Sequence, residues 1–355
     1  MRMKDNFKKD SIYMKNENRK NVITLALILK VLFLIILGCN KEGGDPAQLV
    51  VTSKKQSKFV MVTGGGDHTE GGLDDIINKK VAYSTDGVKW FESVMPKSIM
   101  WNSVCYGNGK FVAVDHDKAA YSHDGSKWFE VTMPDNTGGE SICYGNDKFV
   151  TTSWGIKAAY SENGINWKRT TMPVNARWAS ACYGDGKFVA ISNRDNLDVY
   201  GNSDKAAYSH DGINWKAATL PSRNRWQSVY YGNGKFVAIA SVANTGAYSY
   251  DGINWNETRM PGDEERWQSI CYGKNKFVAV ASFSDKVAYS KDGIKWKMAR
   301  RPNKVTRTDV CYGNDKFVAI SYDSAEVAYS HDGIKWKITA LPSAADWNGV
   351  CYGGD

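Results

Sequence analysis

Proline is scarce, at 8 of 355 residues, and charged residues make up only 24%, beside 33 Gly and 12% aromatics. That balance excludes a collagen-like, disordered or coiled-coil chain and fits a turn-rich β-protein. No Cys-x-x-Cys pair occurs. Of the 5 His, three (His123, His210, His331) fall at the variable position of a recurrent turn, and His68 and His116 stand alone; zinc is not expected. Neither a Ser-His-Asp nor a Cys-His arrangement is suggested. Gly64-Gly65-Gly66 follows a strand but opens no helix, so it offers no phosphate cradle. No cofactor or metal is expected.

A long apolar run is missing too. Val22 to Leu37, interrupted by Thr24 and Lys30, falls short of the roughly 20 apolar residues that a membrane span needs. A basic stretch (Lys15, Arg19, Lys20) precedes the run, and Leu37-Gly38-Cys39 closes it. That order reads as a signal peptide over residues 1–38, with Met14 as the expected start and a transmembrane anchor as the alternative. Leu-Gly-Cys after such a run resembles a bacterial lipobox. The resemblance implies lipidation at Cys39, an anchor of two or three acyl chains, and a protein held at the bacterial cell envelope outside the cytoplasm. Residues 39–57 are polar, with Gly43-Gly44-Asp45-Pro46 and Lys54-Lys55, and read as a tether. The net charge of +8 does not point to nucleic acid, because the signal-like head holds much of it: without residues 1–38, 38 basic against 35 acidic side chains leave +3.

The remainder, 58–355, repeats with a period near 40 residues, the length of a four-stranded propeller blade. Three markers recur in order. A Tyr-Ser-x-Asp-Gly-x-x-Trp box, Ser84–Trp90 being the first copy, carries Asp86, Asp124, Asn163 (in place of Asp), Asp211, Asp251, Asp292 and Asp332. Cys-Tyr-Gly recurs at Cys105, Cys143, Cys182, Tyr230 (a Tyr variant), Cys271, Cys311 and Cys351. Lys-Phe-Val begins at Lys58, Lys110, Lys148, Lys187, Lys235, Lys276 and Lys316. Between the last two markers stand pairs such as Asn108-Gly109, which predict tight hairpins; Ala-Ala-Tyr-Ser supplies a third strand, and the segment after the box Trp a fourth that Pro ends. One repeat is thus one four-stranded antiparallel sheet. Such sheets stack face to face, and twist brings them into a ring. The expected fold is all-β, a seven-bladed β-propeller of four-stranded antiparallel blades. The carboxy-terminal strand, Trp347 to Gly353, is expected to join the amino-terminal blade and close it, with Leu49 to Ser53 as the competing inner strand.

On these boxes the chain resembles the Asp-box (BNR, sialidase-like) propeller superfamily, although Gly follows Asp one residue earlier than in the sialidase form. The box residues have a structural job: Asp accepts turn N–H groups, Gly takes φ > 0, and Trp packs into the blade. The recurrent cysteines, one per repeat, read as small buried hydrophobes rather than a disulfide framework.

Binding is expected on the face carrying the links between second and third strands and the entries to the innermost strands. Two of those links are long, 63–80 with Asp67, Glu70, Asp74 and Asp75, and 193–205 with Arg194, Asp195, Asp198 and Tyr200; their carboxylates are a candidate calcium set, but their spacing matches no calcium loop. Trp101, Trp178, Trp226, Trp267 and Trp347 enter the innermost strands, with Arg307 at the equivalent place and Arg177, Arg225 and Arg266 just before three of the Trp. They form a candidate aromatic and basic ligand rim, because indoles stack on sugars and guanidinium groups pair with carboxylates. The alternative wedges each Trp between blades. The functional expectation is a monomeric binding, adhesion or scaffolding module for glycans or envelope or extracellular protein. A sialidase-like glycoside hydrolase is the alternative, but no carboxylate pair for it can be nominated and residues 40–83 contain no Arg.

Overall fold

The computed structural model describes residues 56–64, 79–97, 99–134, 137–195, 201–305 and 308–354. The chain divides into Met1–Ser53 and Lys54–Asp355; the signal segment, Cys39 and the Leu49–Ser53 strand lie outside the described residues. Every element in the described part is a strand, and no helix there is long and apolar enough to cross a membrane. The first repeat supplies β1 (Lys58–Thr63), β2 (Lys80–Ser84) and β3 (Phe91–Val94). The second supplies β4 (Ser103–Gly107), β5 (Lys110–Val114), β6 (Lys118–Ser122) and β7 (Phe129–Thr132). Then follow β8 (Ser141–Gly145), β9 (Lys148–Thr152), β10 (Trp154–Ser161), β11 (Lys168–Gly184), β12 (Lys187–Asp195), β13 (Ser203–Ser209) and β14 (Lys216–Asn224). The next repeats give β15 (Trp226–Gly232), β16 (Lys235–Ala240), β17 (Thr245–Ser249), β18 (Asn256–Arg259), β19 (Arg266–Gly273), β20 (Lys276–Ser282), β21 (Ser284–Ser290) and β22 (Lys297–Val305). The chain ends with β23 (Thr308–Gly313), β24 (Lys316–Ser321), β25 (Ser324–Ser330), β26 (Lys337–Ala345) and β27 (Trp347–Gly353).

All pairing is antiparallel within the sheets. Second-repeat order β4-β5-β6-β7 is repeated by β15 to β18, β19 to β22 and β23 to β26. β27 pairs with β1, Lys58 opposite Gly353, and completes the sheet β27-β1-β2-β3. Seven separate four-stranded sheets are expected from the repeats; there are five, and a sixth sheet has seven strands, β8 to β14. The cause is β11, in which Ala176 and Arg177 pair with Gly155 and Trp154 on one edge and with Asp195 and Arg194 on the other. Pro173 lies inside this strand, and Pro221, Pro302 and Pro342 lie inside β14, β22 and β26, so proline does not end the fourth strand in these repeats. β14, β22 and β26 are outer-edge strands, whose outward amides have no ladder partner, so proline sacrifices nothing there, and Pro173 falls at the register shift between Thr171 and Ala176 where β11 pairs with β10.

The local chemistry explains the turns. Asn108-Gly109, Asp185-Gly186 and Asn233-Gly234 all take positive φ, the conformation of a two-residue hairpin. In each box the Ser hydroxyl accepts the Gly N–H and donates to the Asp or Asn oxygen, which accepts the next two amides; in the first copy these are Gly87 at 2.8 Å, then Val88 and Lys89 at 2.8 Å each. Burial alone would raise these carboxyls, but the turn amides outweigh it, and Asp124 is held at about 2, with Asp86, Asp211, Asp251, Asp292 and Asp332 also below the usual range.

Hydrophobic clusters lie between consecutive repeats. One joins Val60, Val62 and Val81 to Trp101, Phe111 and Ala113, and another joins Phe59 and Met61 to Val318, Ile320 and Trp347. The Gly of each Cys-Tyr-Gly faces the Tyr of the following copy so closely that a Cβ would enter the ring, from Gly107 against Tyr144 through to Gly353 against Tyr106. The six described cysteines are free thiols, packed in these clusters between repeats.

Candidate functional site

The five tryptophans that open the innermost strands are buried to 0–1% exposure. Trp178, Trp226 and Trp347 donate their indole N–H to the carbonyls of Gly155, Ser222 and Ser324 at 3.1–3.2 Å. With both faces packed, Trp101, Trp178, Trp226, Trp267 and Trp347 present no stacking surface, and the expected aromatic rim is corrected on this point. The repeat spacing placed them at the right height but could not say which way the rings turn.

The serines two residues further on, after Trp in four repeats and after Gly139 in one, are also structural. Ser103, Ser141, Ser180, Ser228 and Ser269 each accept a backbone N–H from the next repeat's innermost strand at 3.1–3.3 Å. Asp309 takes the next place and accepts Val350 N–H at 2.9 Å, Val310 N–H at 2.9 Å and the Ser269 hydroxyl at 2.6 Å. Burial pushes its carboxyl up despite these bonds.

A cavity of about 750 Å³ opens above this serine tier. Its walls come from β4, β8, β11, β15, β19, β23 and β27, through Ser103, Ser141, Ser180, Gln227, Gln268, Asp309 and Asn348, with Trp154, Arg177, Arg194, Arg225, Glu140 and His116 around it. Trp154 is 47% exposed. The Arg177 guanidinium lies 4.7 Å from its ring centroid, and Glu140 holds both, accepting the Trp154 indole N–H at 2.5 Å and Arg177 at 3.0 Å. One carboxylate thereby fixes a cation against an exposed aromatic face, a preorganised platform for stacking and for an anionic or polar group. Arg177 Nε and Asn193 Oδ1 are buried without a partner beside it.

Arg225 also lines this cavity, donating from Nε to the Gly201 carbonyl at 3.4 Å. Arg266 does not. It lines a second cavity of about 600 Å³ and lies 5.4 Å from the ring of Phe283, which is 63% exposed at φ 56°. The structure thus brings Arg177 and Arg225 together and sets Arg266 apart; Arg307 lies outside the described residues. The exposed aromatic residues missed in the sequence, Trp154 and Phe283, sit at the turn six or seven residues after the Lys of Lys-Phe-Val, where His116 and Tyr322 also fall. Ring-bearing residues at that turn in four of the seven repeats were the available signal.

Of the carboxylate-rich links, Asp67, Glu70, Asp74, Asp75, Asp198 and Tyr200 lie outside the described residues. Asp195 is engaged by Arg223 at 2.7 Å and by the Ser203 hydroxyl at 2.5 Å. Among the described residues no group of three or more His, Cys, Asp or Glu is arranged to hold a metal ion.

No protein-family model and no curated protein matches this chain. Solved structures do. Virginiamycin B lyase from Staphylococcus aureus is similar at TM-score 0.63 and 13% identity, over 72% of this chain and 89% of that one. Streptogramin B lyase is similar at TM-score 0.60 and 10% identity, over 68% and 83%. The fold is a β-propeller. YCF48 bound to D1 peptide is similar at TM-score 0.52 and 13% identity, over 69% of this chain and 83% of that one. Identities this low speak for the propeller alone; the sialidase-like relationship suggested by the boxes is not carried by them.

Proposed function

We propose that this propeller is a binding or scaffolding module of the bacterial cell envelope, anchored through a lipid on Cys39 and receiving an envelope or extracellular protein or glycan at the cavity rimmed by Trp154, Arg177 and Arg225. The observation that carries the reading is the Trp154–Arg177–Glu140 platform, an exposed indole and a guanidinium locked together at the edge of a polar cavity. Ligand pockets of 300–1,000 Å³ with a few placed polar groups are the usual form of a binding site. Among the similar propellers, a virginiamycin B lyase structure holds quinupristin and YCF48 holds a D1 peptide, which supports ligand capture by this architecture.

In this reading the domain is a closed ring of seven blades, the seven-stranded sheet being two blades fused along β11. The support is the run of Gly–Tyr contacts between successive repeats, including Gly353 with Tyr106, and a cavity walled by all seven innermost strands.

The test is a glycan array and a peptide library probed with the chain from Ser57 onward. Retention that Trp154→Ala and Arg177→Ala abolish at unchanged unfolding midpoint supports the site. Retention indifferent to both variants rejects it, and turnover of a fluorogenic sialoside above blank replaces it with the hydrolase reading.

A further inference from the structure

The opposite face of the propeller carries a different surface. β1 begins at the end of its sheet where β2 runs into the box, since Phe59 pairs with Ser84, and Lys58 donates to the Asp124 carbonyl of the neighbouring box at 2.8 Å. The chain therefore enters its first blade at Gln56 on the box face, away from the Trp154–Arg177 cavity.

Charge is concentrated in the same sector. Lys274, Lys291, Lys295 and Lys297 are exposed on the turns and outer-strand start of the β19–β22 blade, Lys335 and Lys337 on those of the β23–β26 blade, and Lys89 on the box of the β27-β1-β2-β3 blade. These blades are neighbours across that face: Lys276 donates to the Asp332 carbonyl at 2.7 Å, Asn314 to the Thr85 carbonyl at 3.0 Å and Thr339 to the Val88 carbonyl at 3.0 Å. The box carboxylates Asp292 and Asp332 are turned onto their own amides at 2.8–2.9 Å. Asp315 is the exposed carboxylate on the sector's described turns, and Glu92 lies just beyond Phe91 with Ser343 bonded to it. Phe91, 53% exposed and stacked on Tyr83, adds an aromatic edge where four of the other repeats place Lys. Elsewhere on this face Lys127, Lys168 and Lys216 are balanced by the exposed Asp124, Asp147, Glu162 and Asp185.

We propose that this basic, Phe91-edged sector rests on an anionic phospholipid surface, so that the platform cavity faces away from the membrane. A patch of exposed lysines with an interfacial aromatic residue complements anionic headgroups. The chain's own geometry selects a bilayer as occupant, because Cys39 stands 17 residues before Gln56 and a chain of that length reaches at most about 60 Å. An anchor at Cys39 therefore keeps this face within reach of lipid. The proposal rests on the anchored reading above for that last step only.

The test uses the chain from residue 39 with Cys39→Ser, so that no acyl chain contributes, in co-sedimentation with phosphatidylcholine vesicles containing or lacking 30% phosphatidylglycerol. Expected is binding to the anionic vesicles alone, falling steeply from 50 to 300 mM salt. One lysine near an anionic surface contributes roughly fivefold in partitioning, so Lys295→Glu, Lys297→Glu, Lys335→Glu and Lys337→Glu together reduce it about a hundredfold or more, whereas Lys157→Glu with Lys304→Glu on the opposite face leave it within about threefold. Equal binding to neutral vesicles, no binding by the wild-type surface at 50 mM salt, undiminished binding by the fourfold variant with a wild-type unfolding midpoint, or tighter retention on a sulfated polysaccharide than on the vesicles overturns the proposal. Radiolabelled palmitate incorporation that Cys39→Ser abolishes tests the anchor separately, so the two readings fail independently.

Discussion

Replacing Asp124 separates two contributions of a box carboxylate. Its Oδ1 accepts the amides of Ser126 and Lys127 at 2.8 and 2.9 Å, and its Oδ2 accepts the Ser126 hydroxyl at 2.9 Å. Asp124→Ala deletes the acceptor for both amides. At about 1 kcal/mol net per bond, with water reaching the exposed turn, the loss is about 2 kcal/mol, or about 4 °C in a domain of this size. Asp124→Asn keeps the acceptor, and the protein contains the precedent: Asn163 Oδ1 takes the amides of Ile165 and Asn166 at 2.9 and 2.8 Å. The Asn variant is therefore expected to lose less than about 1 kcal/mol at pH 7. What it lacks is the charge, and pH isolates that term. Burial raises the Asp124 carboxyl, but the amides of Lys127 and Ser126 outweigh it and hold it at about 2, below the roughly 3.9 of an unfolded chain. A depressed folded value means that the ionised contribution is complete above about pH 4 and is lost as the pH falls toward about 2. The gap between wild type and Asp124→Asn should close over that interval. Urea unfolding followed by tryptophan fluorescence at pH 7, 4 and 2.5 measures it. An Asn variant as unstable as the Ala variant at pH 7, or a gap that does not change with pH, would refute the reasoning.

Trp178→Ala, at a site with no exposed surface, is expected to lose about 3–5 kcal/mol in urea unfolding, while Trp154→Ala at the half-exposed platform shifts the same transition by less than about 1 kcal/mol. Asp309 has its folded value raised by burial, so whatever stability it confers is present at low pH and lost as the pH rises through that value; Asp309→Ser, which restores the serine found in five other repeats, should gain stability relative to wild type as the pH rises above the roughly 3.9 of an unfolded carboxyl, read by parallel urea titrations across the pH range. The thiols of Cys143, Cys182, Cys271 and Cys351 are buried, and burial pushes the Cys143 thiol up to about 12. An aromatic disulfide reagent at pH 8 should label them at least about a hundredfold more slowly in the native protein than in urea, because the reacting thiolate is both scarce and enclosed.

Residue patterns alone were enough to place the turns and the order of strands in each repeat, though not the ends of the fourth strands, because each repeat carries its own turn chemistry: Asn-Gly pairs that tolerate positive φ, a Ser-x-Asp-Gly turn that bonds itself, and alternating or β-branched runs between them. They also indicated that the last strand belongs beside the first, since the truncated repeats at the two ends complement each other and β27 pairs with β1. The turn and strand patterns are local properties, set within about ten residues of sequence. Three matters were decided only by packing. Whether Trp178 faces solvent or the neighbouring repeat depends on the distance between repeats, and they approach closely enough to bury it. Whether β11 ends at its proline depends on both of its neighbours, which bond to Ala176 and Arg177 from opposite edges and fuse two repeats into one sheet. Which arginines share a cavity depends on where turns some 40 residues apart come to lie, and that placement sets Arg177 and Arg225 around one opening while Arg266 lines another. A motif records what each repeat can form; orientation toward solvent or partner is a property of the space between repeats, which no single repeat encodes.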